Sequence, residues 1–254
     1  MGKSLVLGVL GLLVGLGAAS QTRDPIVIRS DGEFTEDNGV VGGLGIFGNP
    51  FVISGWRINA GGAPYGILIQ GTRRPVVLRN LEIESATLAA IQIVNAKNVV
   101  IEDVVIRGSA TAIAVTMGEV VQIRNTSIDE CYEGVRMMFS SQVEVAKILV
   151  SRAKIGVWFT NTRDSLLVGS IVAHCDVGIL VEMYTERLTI ARNTILGCQV
   201  PARSDGGASW DDGVKGNFWA GFTAPDLNND GIFDWPYLIG RDEDRFPLVS
   251  PPSP

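Results

Sequence analysis

Short apolar pairs with one residue between them recur at Ile67/Ile69, Ile91/Ile93, Ile113/Val115, Val135/Met137, Val157/Phe159 and Ile179/Val181. Their first members are spaced 24, 22, 22, 22 and 22 residues apart. A second series sets apolar residues five apart, at Ile53/Ile58, Leu78/Ile83, Ile101/Ile106, Ile123/Ile128, Val145/Val150, Leu167/Val172 and Ile190/Ile195. Alternation of period two among β-branched residues predicts short strands, whereas helical repeats would show faces of period 3.6. A run of strands that returns to its starting point every 22 residues is a parallel β-solenoid. Its rungs lie about 4.8 Å apart, and its inward side chains stack as one core. The pattern predicts an all-β parallel β-helix of about seven rungs over residues 50–200. The rival horseshoe fold needs an LxxLxLxxN signature, which the chain lacks.

Polar positions keep the same register. Arg79, Glu102 and Arg124 fall on successive rungs, as do Glu130, Arg152 and His174, and Arg57 falls below Glu82. Opposite charges stacked between neighbouring strands support one another. Asn80, Asp103 and Asn125 form a further column at a corner, where a side-chain amide is expected to bond the next turn's backbone.

The ends depart from the repeat. The N-terminal part reads Phe34-Thr-Glu-Asp-Asn-Gly-Val40 and then Pro50-Phe-Val-Ile-Ser-Gly-Trp56-Arg-Ile-Asn59. The C-terminal part reads Gly216-Asn-Phe-Trp219, Pro236-Tyr237 and Asp244-Arg-Phe-Pro-Leu248. With the repeats between them, these segments resemble exported NosD-like proteins, whose repeats are of the carbohydrate-binding and sugar-hydrolase type, over about residues 25–248. The resemblance implies a right-handed β-helix, a hand that spacing alone does not supply. It also implies a periplasmic accessory role in copper-site assembly. Copper carriers need soft or imidazole ligands; this chain has one His and five Met, with Met117 and Met183 expected in one outer column beside Met138. Copper is therefore the lesser reading.

Lys3, the apolar run from Leu5 to Leu16 and the small residues Gly17 to Ser20 have the layout of a secretory signal peptide. The chain thus divides into a signal peptide (1–20), an N-terminal cap (21–49), the β-helix (50–200), a C-terminal cap (201–248) and a tail (249–254). The mature protein is expected to be periplasmic, extracellular or cell-surface, with no transmembrane span. The net charge of −6 argues against a nucleic-acid partner.

Three features offer chemistry. The run Asp226-Leu-Asn-Asn-Asp-Gly-Ile-Phe-Asp234 places side-chain oxygens at positions 1, 3, 5 and 9 around a glycine at 6, as a calcium loop does. Candidate ligands are Asp226, Asn228, Asp230, the Ile232 carbonyl and Asp234, with Asp211, Asp212 or Asp244 as a remote carboxylate. Such an ion would be structural, ordering a cap over the last rung. Asp164 and Glu186 are the candidate catalytic pair, stacked on adjacent rungs if the 22-residue period holds, as a polysaccharide lyase or glycoside hydrolase requires of paired carboxylates. The outward column Leu68, Gln92, Ala114, Arg136, Trp158 and Leu180 sets Arg136 beneath Trp158 near Glu182, an aromatic plate with polar rims suited to a sugar. The leading expectation is a non-catalytic, exported module that binds a polysaccharide or a cell-envelope component. Cys175 and Cys198 share a corner on successive rungs, open to a disulfide or to two buried thiols.

Overall fold

A computed structural model describes residues 21–252. The expected signal peptide, residues 1–20, lies outside the described residues. The chain coils through about eight turns. On its first face eight strands pair in parallel: Ile26–Ile28, Tyr65–Gln70, Ala89–Val94, Thr111–Thr116, Glu133–Met138, Ile155–Thr160, Val177–Val181 and Val200–Ser204. The other pairs of the coil form a second and a third face. Val76–Glu84 and Lys97–Arg107 are long enough to bend from one to the other.

Both apolar series point inward. Ile26, Ile67, Ile91, Ile113, Val135, Val157 and Ile179 are successive partners and are all buried. The five-residue pairs straddle the corner between the second and third faces: Ile53, Leu78 and Ile101 stack on one side, Ile58, Ile83 and Ile106 on the other. At that corner Asn80, Asp103 and Asn125 adopt φ of 51°, 53° and 49°. One left-handed residue turns the strand and resets its alternation, and Asn and Asp tolerate that region well. Their role is thus backbone conformation, correcting the expected amide ladder. That ladder stands one residue on, inside the coil. There Ile148 N–H donates to Ser170 Oγ (3.3 Å), Ser170 N–H to Asn193 Oδ1 (2.9 Å) and Asn193 N–H to Asn217 Oδ1 (3.0 Å).

The expected charge columns are present in part: among the described residues Arg79 and His174 form no ion pair, and the His174 ring lies against Gly197. Arg57 pairs with Glu82, Arg124 with Glu102, and Arg152 with Glu130 and Asp129. The period, 25 and 23 residues at the first rungs and 22 through the middle of the coil, changes again near its C-terminal end. Leu167 lies opposite Ile190 and Arg163 opposite Glu186, 23 residues apart, because the turn at 182–185 carries one extra residue. Ser140 and Thr162 donate to the carbonyls of Met138 and Thr160, two residues back, but Thr185 Oγ1, just after this turn, is buried without a partner.

The first coil rests on a layer in which Gln21–Thr22 pairs with Trp56–Asn59 and Val40–Gly42 runs antiparallel to Phe51–Ser54. Phe34 stacks on Phe51 at 4.4 Å between ring centroids. At the other end the parallel ladder continues past residue 200 through Ala208–Ser209 and Phe218–Trp219. An antiparallel hairpin, Tyr237–Ile239 with Asp242–Asp244, then closes the coil, with Tyr237 stacked on Trp219 at 4.3 Å.

Candidate functional site

On the outside of the first face, Leu68, Gln92, Ala114, Arg136, Trp158 and Leu180 form one column of successive partners. The Arg136 guanidinium carbon lies 5.9 Å from the Trp158 ring centroid. Trp158 Nε1–H donates to Glu182 Oε2 at 2.9 Å. All three side chains are half-buried. Arg136 Nη1 also pairs with Glu133 Oε2 at 2.9 Å, and Thr111 Oγ1–H donates to the same oxygen at 2.8 Å. Glu133 and Thr111 complete a polar chain that the repeat pattern did not single out. The signal was present: Glu133 is a carboxylate where the same rung position elsewhere holds Ala89, Thr111, Ile155 and Val177. Gly134 turns its missing side chain inward, which lets Glu133 and Arg136 emerge on the same outer side. Arg136 Nε is buried without a partner. Around the next corner Phe139 and Tyr184 are exposed. Chemically, this is an aromatic surface edged by one guanidinium and two carboxylates, able to hold a hydroxylated ring by stacking and hydrogen bonds.

The candidate catalytic pair is not assembled. The extra residue at 182–185 sets Glu186 opposite Arg163, and it brings Arg187 to Asp164 with bonds of 2.6 and 3.0 Å. The Arg187 bond holds the Asp164 carboxyl below the usual carboxylate range. Arg187 also reaches Glu186 at 3.2 Å. The expected stacking of Asp164 on Glu186 is thereby corrected to a neutralised edge of four charges. The same insertion separates the methionines. Asn161 N–H bonds the Met183 carbonyl as Met117 N–H bonds that of Met138, so Met183 aligns with Met138 rather than with Met117.

In the 226–234 loop the side chains fold back on the loop's own backbone. Asp226 accepts from the N–H groups of Asp230 and Gly231, both at 3.1 Å. Asp230 accepts from Ile232 N–H (2.9 Å) and Asp234 from Leu227 N–H (2.9 Å). Asn228 Nδ2 lies 2.9 Å from Asp230 Oδ2. The loop is pinned to the chain end by Phe233 N–H to Pro247 O and Val249 N–H to Gly231 O, which leave the Ile232 carbonyl free of backbone donors among the described residues. Among the described residues no three His, Cys, Asp or Glu side chains converge to hold a metal.

The three remote carboxylates are engaged elsewhere. Asp211 takes two bonds from Arg245 (2.9 and 2.6 Å), beside a cleft of about 500 Å³ that Arg241 and Glu243 also line. Asp212 pairs with Arg192 at 2.6 Å. Asp244 is buried and accepts from Asn217 N–H (2.7 Å), Trp219 Nε1–H (2.8 Å) and Phe246 N–H (3.1 Å). Burial outweighs those donors and pushes its carboxyl up to about 6. Cys175 and Cys198 are free thiols whose hydrogens go to backbone carbonyls, and the influence of each on the other raises Cys175 and lowers Cys198 to about 7.

A family model described as the right handed beta helix region matches residues 65–217. No curated protein matches the chain. Among solved structures, pectate lyase Pel9A is 10% identical with a TM-score of 0.50, over 82% of this chain and 60% of that one. A tailspike protein double mutant of E. coli bacteriophage HK620, in complex with a pentasaccharide, is 12% identical with a TM-score of 0.46, over 68% and 43%. XylC in complex with xylose is 10% identical with a TM-score of 0.42, over 78% and 40%. The chain spans less than two thirds of the length of each of these structures. At such identities the likeness is one of fold.

Proposed function

Since the chain belongs to the right handed beta helix family, we propose that its first outer face binds carbohydrate of a cell envelope without turning it over. The observation that carries this reading is the Arg136–Trp158–Glu182 group, whose aromatic ring is flanked by a cation and held at its Nε1 by a carboxylate. Pectate lyase Pel9A shares the fold, so a glycan lying along such a coil is within its repertoire. Against the lyase or hydrolase reading stands the Asp164–Arg187 ion pair, which leaves no free carboxyl pair on that edge. Export by residues 1–20 and the finer kinship with NosD-like proteins belong to the same proposal.

Trp158→Ala is expected to weaken retention on the cognate polysaccharide about tenfold, the scale of one aromatic contact of ~1.4 kcal/mol. The melting temperature should stay nearly constant. Affinity electrophoresis on a polysaccharide panel, with melts on both forms, checks it. A large loss of stability with unaltered retention reassigns Trp158 to the scaffold.

Calcium is the proposed structural cation of the 226–234 loop. Asp226, Asn228, Asp230, the Ile232 carbonyl and Asp234 would hold it, and a hard dication there would neutralise three carboxylates that the loop alone cannot. At a hundredfold excess over Kd an ion bound only by the folded state adds about 2.7 kcal/mol. A chelator should therefore lower the melting temperature and loosen residues 201–248 before the coil, and Asp230→Ala should remove that sensitivity. Identical melts of wild type and variant, with and without chelator, would leave an acidic turn and no metal.

A further inference from the structure

Residues 38–56 contain no Asp, Glu, Lys, Arg or His, in a chain that is 19% charged. Within them Val41, Leu44, Ile46 and Phe47 are 54%, 64%, 49% and 81% exposed. Single exposed apolar residues are ordinary; four within seven residues, with no charge among them, form a patch. The segment is also built to stay outside. Leu44 and Ile46 N–H donate to the Asn49 carbonyl at 3.0 and 3.2 Å, and Asn49 N–H returns to Ile46 O at 2.9 Å. The Gly43 backbone abuts the Pro50 carbonyl and that of Gly45 lies against the Phe51 ring, both with positive φ, so neither position accepts a side chain. The result is a tight hairpin at 43–49 that presents Leu44, Ile46 and Phe47 to its surroundings.

Its place in the coil says what those surroundings are. Val40–Gly42, which leads into the hairpin, lies beneath Phe51–Ser54; Gln21–Thr22 lies beneath Trp56–Asn59. Both upper strands belong to the first coil and pair with Val76–Glu84 above them. The described residues therefore begin, at Gln21, in the same layer and at the same end as the hairpin. The sequence before Gln21 is itself apolar, with no charge from Ser4 to Ser20.

We propose that the 43–49 hairpin docks on a lipid bilayer, its apolar side chains entering the boundary between headgroups and acyl chains of the membrane that receives residues 1–20. The solenoid then stands with its N-terminal end on the membrane and its outer faces free. With no cation in the segment and a net charge of −6, the attraction is apolar, so it needs no anionic lipid and survives high salt.

The test uses the full chain carrying Phe47→Trp, beside the wild type, on phosphatidylcholine vesicles with and without added anionic phosphatidylglycerol, each with and without bromine on the acyl chains. The added tryptophan should lose most of its emission to brominated chains, at low and high salt alike. Leu44→Ser with Ile46→Ser in the same background should abolish that extra quenching, while circular dichroism stays unchanged. Because the readout is local to the hairpin, anchoring by residues 1–20 alone cannot mimic it. Quenching no greater than that of the wild type, or quenching seen only on anionic vesicles, overturns the proposal. So does shielding of the added tryptophan from iodide without vesicles, which would assign the hairpin to a second copy of the chain. Glycan retention is read separately, so neither outcome bears on Trp158.

Discussion

Asn217→Ala is expected to cost about 3–5 kcal/mol, because it strands several buried polar groups at once. Asn217 is fully buried. Its Nδ2 donates to Ile190 O (2.9 Å) and Trp210 O (2.7 Å), while its Oδ1 accepts from both the backbone and the side-chain nitrogen of Asn193 (3.0 and 2.9 Å). Alanine removes donor and acceptor together in a site closed to solvent. Asn217→Asp should be no better, since its second oxygen would face the carbonyls of Ile190 and Trp210 and the carboxylate of Asp244. Urea unfolding monitored by tryptophan emission measures the loss, and a shift below about 1 kcal/mol for the alanine variant would show that the ladder is not a main support of the C-terminal end.

The second large effect is expected at Gly156. A Cβ there would lie 2.5 Å from the Gly178 carbonyl oxygen on the next rung and 2.5 Å from Val172 Cγ1. The first of these is backbone, which cannot swing away, so relief requires the rungs to part locally. Gly134 and Gly178 are confined in the same way by the carbonyls of Gly156 and Pro201. Gly156→Val should cost about 3 kcal/mol, at the upper end of overpacking effects. Gly32→Ala, with open space around it, serves as the neutral control. Equal midpoints for Gly156→Val and the wild type would mean that the coil yields more easily than its packing implies.

The inward columns were legible because alternation and period are printed directly in apolar residues such as Ile91, Ile113 and Val135. The corners were legible only in part. Asn80, Asp103 and Asn125 mark one plainly, but Lys147 and Arg192 take the same left-handed conformation, φ 53° and 57°, with residues not selected for it. The Ser170–Asn193–Asn217 ladder was missed because a polar residue inside a coil reads, in sequence, like any exposed one; only the backbone shows which side of a corner it occupies. Arg136, Trp158 and Glu182 were grouped correctly because their separations are one rung or close to it. Glu133 escaped notice because Gly134 shifts it out of simple alternation. The pairing of Asp164 with Glu186 failed because it assumed a 22-residue step across a turn that carries one residue more.

That turn also acts as a phase shift. With an unbroken 22-residue step, Asp164 would face Glu186, acid against acid, and Arg187 would face Ser165. One added residue slides the upper strand by a notch, so that Arg163 meets Glu186 and Asp164 meets Arg187. The order of charges along each strand is untouched; only their alignment changes, and repulsion becomes attraction. In a fold where every rung inherits its register from the one beneath, an insertion is therefore a sorting step. It decides which side chains of the upper coil meet those of the lower, and it does so at a surface turn, without altering a single core residue.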